Sequence, residues 1–252
     1  MSGHSKWSKV KQFKGAIDAK RSANFTKLAR EIEVAVREKG SDPGMNFRLR
    51  MAIDRARAGN MPKDSIERAV TRGAGAADGV QLEALRYEAY GPGGAGLVIE
   101  CLTDSHNRTA NDVKYLLSKN GGTLAASGSV AFQFDHKGVV RVAGLPQDKK
   151  DEVELSLIDA GAEDIKDEEG LPANATPQAL QAGETLIICA TSDLAKVSDA
   201  AAKTGLVVSS SEFEWLPKVT VALDEANGQV IAKLIEALEE HDDVQSVFTN
   251  AN

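Results

Sequence analysis

Apolar residues follow two different periods along the chain, and the change falls near residue 80. Before it, they recur every three or four residues, which is the spacing of one face of an amphipathic helix. Beyond it, short apolar runs typical of strands alternate with further helical stretches and with Gly-containing turns. The pattern predicts an α+β protein that begins with helices and continues with two α/β domains.

Three short helices are predicted in the first third of the chain. The first follows Ser22, a suitable N-cap, and ends at Gly40. The second covers about 46–58. The third begins at Pro62, which suits the first position of a helix, and ends before Gly73, which suits the C′ position. Because each helix has one apolar face, we expect the three to pack as a small bundle.

Segments without an apolar period flank this bundle. Residues 1 to about 21 predict a flexible basic arm, and GAGAADG at 73–79 predicts a hinge. Beyond the hinge, the predicted order is ββαβ over 80–135, βαββαβ over 136–216 and βαβ over 217–252, with strands in SVAFQF and KVTVALD. The βαββαβ order is that of a ferredoxin-like domain.

The last predicted βαβ needs a sheet to join, and the simplest arrangement adds it to the first sheet. The fold class is then α+β with three domains: an N-terminal three-helix bundle with a basic arm, and two ferredoxin-like α/β domains, one inserted in the other. The predicted domains are 1–79 (arm and bundle), 80–135 plus 217–252 (discontinuous middle domain) and 136–216 (inserted domain). Three domains that simply follow one another in sequence are the alternative.

The cysteines and histidines do not have the spacing of a metal site. Cys101 and Cys189 each lie inside an apolar run, which predicts buried thiols in a reducing compartment rather than a disulfide. The four histidines are scattered, and the chain has no HExxH or CxxC motif. We expect no metal, no cofactor and no small-molecule substrate.

The segment CLTDSHNRTAND allows a catalytic interpretation and a structural one. Cys101, Asp104 and His106 have the side chains of a nucleophile, an orienting acid and a base, but so tight a linear cluster rarely folds into a working triad. Thr109 and Asp112 instead approximate a capping box at a helix N-terminus. Such an N-terminus also attracts anions. The candidate residues for an anion site are Asn107, Arg108 and Thr109.

Charge is distributed unevenly along the chain. Residues 1–72 contain 17 Lys and Arg against 8 Asp and Glu, whereas residues 73–252 contain 13 against 29. A basic block attracts polyanions, and an acidic remainder is repelled by a phosphate backbone. We therefore expect any nucleic-acid contact to concentrate in the first third of the chain.

Nucleic-acid binding is accordingly favoured over a merely solvated surface. Trp7 lies among the lysines of the arm and offers a flat face on which a base can stack. Four arginines crowd the second predicted helix, two on each side of its apolar stripe. The candidate nucleic-acid-binding residues are Lys6, Trp7, Lys9, Lys11, Lys14, Lys20, Arg21, Lys27, Arg48, Arg50, Arg55, Arg57 and Lys63.

The composition and the N-terminus favour a cytoplasmic protein without a membrane partner. No window approaches the roughly 18 consecutive apolar residues of a membrane span. The basic N-terminus lacks the apolar run of a secretory signal. A basic start containing Ser also suits a mitochondrial transit peptide, which we rank below the cytoplasmic interpretation.

Several motifs in series resemble one protein family. GHSKW with the KR pair at 20–21, NMPKDSIERA, YEAYGPGG, ECLTD, NRTANDV, SKNGG and GSVAFQF occur in this order. Together they closely resemble the YebC family, whose members are described as transcriptional regulators and which includes the mitochondrial translational activator of cytochrome c oxidase. The resemblance covers nearly the whole chain and thins in the predicted inserted domain.

This resemblance implies a non-enzymatic, cytoplasmic protein of three domains without a cofactor. It implies a DNA-binding transcriptional regulator as the leading function. The alternative is a translation factor that associates with the ribosome through ribosomal RNA and relieves stalling, for example at runs of proline. Because the second predicted helix has few Asn or Gln side chains, the residues themselves do not demonstrate sequence-specific DNA binding.

Overall fold

The structure is a computed structural model that describes residues 17–75, 82–143, 145, 149–168 and 184–252. These residues form seven α-helices and two four-stranded antiparallel sheets, so the predicted α+β class is confirmed. The helices are α1 (Ile17–Lys39), α2 (Phe47–Ala58), α3 (Lys63–Ala74), α4 (His106–Lys119), α5 (Lys150–Asp159), α6 (Leu194–Lys203) and α7 (Glu225–Glu239). The strands are β1 (Glu83–Tyr90), β2 (Gly96–Thr103), β3 (Thr123–Leu124), β4 (Phe134–Ala143), β5 (Ala162–Glu168), β6 (Glu184–Cys189), β7 (Val208–Pro217) and β8 (Val244–Thr249).

Helices α1, α2 and α3 pack around one apolar core, in which Ile32 and Leu49 are fully buried. Asn46 is buried beside them. Its side-chain oxygen accepts a hydrogen bond from the backbone N–H of Leu49 and so caps α2, while its amide group donates to the carbonyls of Ala35 and Gly40. One side chain therefore satisfies backbone groups on both sides of the turn between α1 and α2, which fixes the path of the chain there.

Helix α1 begins earlier than the sequence predicted. Its first residue is Ile17, whereas the basic arm was expected to extend to about residue 21. The segment IDAKR has no glycine or proline to stop a helix, and its Ala, Lys and Arg are good helix formers. The helix therefore continues toward the N-terminus beyond the apolar period that marked its predicted start.

Gly73 lies inside α3, although the sequence predicted it just past the helix end. The helix continues to Ala74, and Gly75 is the residue that caps it. A Cβ atom on Gly73 would lie 2.8 Å from Cβ of Val36 and 3.0 Å from the carbonyl oxygen of Glu33, both on α1. The missing side chain is what allows α3 to approach α1 this closely.

The first sheet has the strand order β3-β1-β2-β8. Helices α4 and α7 pack against each other, and Leu117 of α4 and Leu234 of α7 are fully buried. The strand predicted in KVTVALD is wrong, because in that segment only Val221 forms an isolated bridge, to Ala251. Strand β8, near the end of the sequence, completes a sheet whose other strands lie between residues 83 and 124.

A buried carboxylate explains why SVAFQF is not the predicted strand. Glu88 of β1 is 3% exposed and accepts hydrogen bonds of 2.7–2.8 Å from the backbone N–H groups of Gly128, Val130 and Ala131. These bonds bend the segment around the carboxylate, and Ala131–Gln133 forms a 3₁₀ turn before β4 begins. Burial raises the pKa of Glu88, but the three backbone hydrogen bonds outweigh it, so the net shift of the pKa is downward.

The second sheet has the strand order β5-β6-β4-β7, and the chain runs β4-α5-β5-β6-α6-β7. Each helix therefore links two strands that are separated by a third, which is the ferredoxin-like arrangement predicted from the sequence. Val140 and Ile187 on the central strands are fully buried, as are Leu157 of α5 and Leu194 of α6. The core of this domain thus lies between the sheet and its two helices.

The described residues divide into two compact units. One consists of residues 135–216, and the other of residues up to 134 together with 217–252. The helical region and the first sheet fall in the same unit, so the boundary predicted at residue 79 stays a prediction. No helix in the described ranges is long and apolar enough to cross a membrane.

Replacing Gly73 with alanine is expected to lower the free energy of unfolding by about 1–3 kcal/mol, because the added methyl group overlaps Val36 and the backbone of Glu33. Urea unfolding followed by circular dichroism measures this. Gly228→Ala is the matched control: it also lies inside a helix, but its Cβ would meet no atom within 4 Å. It should raise stability by about 0.5–1 kcal/mol through helix propensity. Equal effects at the two positions would contradict the close helix crossing.

Candidate nucleic-acid interface

The N-terminal candidates lie largely outside the part of the chain that the structure describes. Residues 1–16 are not among the described ranges, so five candidates there stay predictions. They are Lys6, Trp7, Lys9, Lys11 and Lys14. Lys20 and Arg21 belong to α1, where the description extends to the backbone only. The other candidates lie on α1, on α2 and at the start of α3.

Arg48 and Arg55 lie on the side of α2 that faces α1. Arg48 pairs with Glu38 at 2.5 Å, and Arg55 pairs with Glu31 at 3.5 Å. The arginine side chains remain 39% and 37% exposed. Because exposed ion pairs contribute only about 0–1 kcal/mol to stability, a phosphate can replace either glutamate at little cost to the fold.

The other side of α2 and the start of α3 present more exposed cations. Arg50 lies over the ring of Phe47, 4.9 Å from its centroid. Arg57 pairs with Asp54 at 3.1 Å and is 70% exposed, and Lys63 is 86% exposed. Arg57 and Lys63 also line an open groove of about 440 Å³, whose remaining lining is mainly apolar. These two side chains are the most accessible candidates with described partners.

Lys27 binds inside the protein rather than facing solvent. Its Nζ donates a hydrogen bond to the carbonyl oxygen of Glu239 at the end of α7. Burial lowers the pKa of Lys27, and the nearby charge of Glu239 only partly opposes this. Arg30, about one turn further along α1, donates to the carbonyl oxygen of Asp242. Cations at the carbonyl end of a helix complement its dipole, so these two side chains join α1 to the end of α7.

Asp243 is the centre of a charge network that connects α1, β2 and α4. Its side chain is 2% exposed. Oδ1 accepts a hydrogen bond from Arg30 at 2.8 Å, and Oδ2 accepts from Arg108 at 2.8 Å, from Thr109 at 2.7 Å and from Thr103 at 3.2 Å. Burial raises the pKa of this carboxyl group, but the hydrogen bonds from Arg108, Thr109 and Arg30 outweigh it and lower the pKa to about 2.

The predicted anion site at the start of α4 holds this internal carboxylate. Arg108 and Thr109 both donate to Asp243, while Asn107 stays exposed. Thr109 is fully buried within the helix, and Ser105 occupies the N-cap position, so the predicted capping box is wrong. An external anion at this position would have to compete with a carboxylate that is already fully bonded.

His241 contacts the backbone of Asp243 and the side chain of Asp112. Its Nδ1 accepts a hydrogen bond from the backbone N–H of Asp243 at 3.2 Å, and its Nε2 lies 3.2 Å from Oδ2 of Asp112. A neutral imidazole that accepts at Nδ1 carries its proton at Nε2, so it donates to Asp112. The ring therefore ties α4 to the turn between α7 and β8.

The geometry gives no support to the catalytic interpretation of Cys101, Asp104 and His106. Cys101 is 2% exposed, and burial raises the pKa of its thiol to about 12, which opposes formation of a nucleophilic thiolate. Asp104 pairs with Arg108 at 2.7 Å. Within the described ranges, no group of three or more His, Cys, Asp or Glu side chains is placed to hold a metal ion.

Arg30 and Asp243 were not identified from the sequence. Both lie in ordinary charged surroundings, KLAREIE and LEEHDDV, where many neighbours have the same chemistry. The only local signal is that Asp243 directly precedes the apolar start of β8, where a side chain can enter the core. Their pairing joins residues more than two hundred positions apart, which no local pattern encodes.

Comparison with known proteins finds relatives along nearly the whole chain. Residues 5–76 match the family model described as the TACO1/YebC protein N-terminal domain, and residues 82–251 match the model of the TACO1/YebC second and third domain. A "Probable transcriptional regulatory protein" from Fervidobacterium nodosum is 46% identical over 99% of this chain and 93% of its own length. One from Moorella thermoacetica is 44% identical over 100% and 96%. The crystal structure of a conserved hypothetical protein from Aquifex aeolicus is 37% identical, with a TM-score of 0.80 and coverage of 98% of this chain and 97% of that one.

Replacing Asp243 with asparagine is expected to lower the free energy of unfolding by about 3 kcal/mol, because Arg30 and Arg108 then lose their shared buried carboxylate. Chemical denaturation measures the loss. Asp242→Asn is the matched control, since that side chain is exposed and only its carbonyl group is used by Arg30. It should change stability by less than about 0.5 kcal/mol. Similar losses in both variants would contradict the role of the Asp243 carboxylate.

The stabilisation by Asp243 should also depend on pH. Its folded-state pKa of about 2 lies below the ordinary value of 3.8, so the contribution is complete above about pH 4 and is lost as the pH falls toward 2. The difference in melting temperature between the wild type and Asp243→Asn should therefore shrink across this window. Thermal unfolding at a series of acidic pH values tests it, and a difference that stays constant down to about pH 2 would refute the assignment.

Proposed function

The chain belongs to the TACO1/YebC family, and from that premise we propose that it is a non-enzymatic, cytoplasmic nucleic-acid-binding protein that acts as a DNA-binding transcriptional regulator. The relatives from Fervidobacterium nodosum and Moorella thermoacetica are named as transcriptional regulatory proteins, which supports the regulatory part of this proposal. The nucleic-acid part rests on the surface charge of the helical region.

The cations of α2 and of the start of α3 are the observation that carries the proposal. Arg57 and Lys63 are exposed, and Arg48, Arg50 and Arg55 are half-buried. Arg48, Arg55, Arg57 and Lys63 pair with carboxylates that are themselves at least partly exposed, so a phosphate can compete for them without disrupting a buried contact. They lie in a part of the chain where cations outnumber carboxylates by 17 to 8. Such an excess favours a polyanion as the partner.

A translation factor bound to ribosomal RNA is the second candidate. Helix α2 contains neither Asn nor Gln, the side chains that pair most specifically with adenine in the major groove. Its arginines lie on both sides of the buried stripe, so it offers phosphate contacts from two sides rather than one base-reading face. A surface that binds phosphates by position suits folded RNA as well as duplex DNA.

Crosslinking in growing cells, followed by sequencing of the attached nucleic acid, distinguishes the two candidates. The full chain is compared with Arg57→Glu/Lys63→Glu, which reverses the two most exposed of the candidates whose side chains the structure describes. The control is Lys149→Glu/Lys203→Glu, an equal charge change on exposed lysines of the inserted domain. A transcriptional regulator recovers enriched promoter fragments, and a translation factor recovers ribosomal RNA. The interface variant should reduce the yield about fivefold or more, and the control should leave it nearly unchanged.

The outcomes separate the parts of the proposal. Ribosomal RNA without promoter DNA would replace the transcriptional version by the translational one. Recovery of no nucleic acid above background would overturn both. In vitro, losing two phosphate contacts should make the slope of log affinity against log salt shallower by about 2 in Arg57→Glu/Lys63→Glu, and an unchanged slope would remove these residues from the interface.

A further inference from the structure

The outer face of α4 has a composition unlike the acidic region around it in the sequence. The residues exposed along it are His106, Asn107, Arg108, Asn111, Lys114, Tyr115, Ser118 and Lys119. The helix has one carboxylate, Asp112, whose side chain is 44% exposed and lies 3.2 Å from His241. The surface therefore carries mainly cations, amides and one aromatic ring.

This composition departs from the charge of the sequence that surrounds it. Residues 73–252 contain 29 Asp and Glu against 13 Lys and Arg, whereas α4 alone contains three of those cations and a single acid. Because Arg108 is bonded to Asp243 and Asp104, the cations at the outer surface of the helix are Lys114 and Lys119. The expectation that polyanion contact concentrates in the first third of the sequence does not take this surface into account.

The two outer lysines flank an exposed aromatic ring. Lys114 and Lys119 are five residues apart, or about 7.5 Å along the helix axis and about 140° around it. Each can therefore contact a different phosphate of a strand that crosses the helix. Between them, Tyr115 is 62% exposed, and Nζ of Lys119 lies 5.7 Å from the centroid of its ring. An exposed aromatic ring beside lysines is the usual arrangement for stacking an unpaired base.

Asp243 places this helix next to the helical region. The same carboxylate binds Arg30 of α1 and Arg108 in the first turn of α4, each at 2.8 Å. The two helices are therefore joined within one compact unit.

We propose that the outer face of α4 is a second nucleic-acid-binding surface, on which Lys114 and Lys119 bind backbone phosphates and Tyr115 stacks on an unpaired base. Asn107 and Asn111 have amide groups that can donate hydrogen bonds on the same helix. This inference rests on the proposed function, since it extends nucleic-acid binding to Lys114, Tyr115 and Lys119, which are not among the residues predicted for it from the sequence. The occupant is a single strand of nucleic acid, whose backbone supplies the phosphates and whose unpaired base stacks on the ring.

Equilibrium binding of the full chain tests the phosphate contacts. The probes are a fluorescein-labelled single-stranded RNA and a labelled duplex DNA, each followed by anisotropy over a range of salt. Lys114→Glu/Lys119→Glu should bind the single-stranded RNA about tenfold more weakly, with a salt slope shallower by about 2. The control Lys149→Glu/Lys203→Glu changes the net charge equally and should stay within about twofold of the wild type. Circular dichroism and the melting temperature verify that each variant is folded.

Two substitutions of Tyr115 test whether its ring stacks on a base. Tyr115→Ala should weaken binding of the single-stranded RNA about fivefold or more and affect the duplex less, because only unpaired bases can stack on the ring. Tyr115→Phe keeps the ring and should retain most of the affinity for the RNA. A loss that is the same for both probes, or the same in both variants, would refute the stacking role.

Different results would refute the α4 surface and the proposed function. If the wild type binds a probe and Lys114→Glu/Lys119→Glu behaves like the control, the α4 surface is wrong while the proposed function stands. If the wild type binds neither probe at low salt, nucleic-acid binding itself is refuted and the α4 surface with it.

Discussion

The carboxylate of Asp243 needs every hydrogen bond that it receives, because an ionised group removed from water is costly unless it is paired. Its donors come from α1, from the end of β2 and from the first turns of α4. These elements can satisfy it only in one relative arrangement. The contact between the helical region and the first sheet therefore depends on charge and direction, and apolar packing alone would leave its orientation less restricted.

The same principle separates the cations of α1, α2 and α3 by role. Lys27 and Arg30 donate to the carbonyl oxygens of Glu239 and Asp242 and to the buried carboxylate of Asp243, and so hold α1 against the end of α7. Arg57 and Lys63 lie at the surface, where their carboxylate partners are also exposed. A count of basic residues in the sequence cannot make this distinction, since all four side chains look alike there. Burial decides which cations serve the fold and which are available to a partner.

The features that could be predicted from the sequence are those set by residues close together in the chain. Helix α2 was placed to within a residue because Asn46 and Gly59 are local signals for its start and end. The ferredoxin-like order of the second sheet followed from alternating apolar periods. Gly73 was misplaced because a glycine suits both a helix end and a close crossing, and the crossing depends on Val36 of another helix. The basic arm lies largely outside the described residues and stays a prediction from charge.

The position of β8 has a consequence for the order in which the protein is made. The first sheet cannot gain its edge strand β8 until residues 217–252 have been synthesised, and Arg108 cannot pair with Asp243 before then. Residues 135–216 contain a complete four-stranded sheet with its two helices, and they leave the ribosome earlier. Domains generally fold as units during synthesis. The inserted unit can therefore fold before the first sheet, which stays incomplete until the residues that follow the inserted unit have been made.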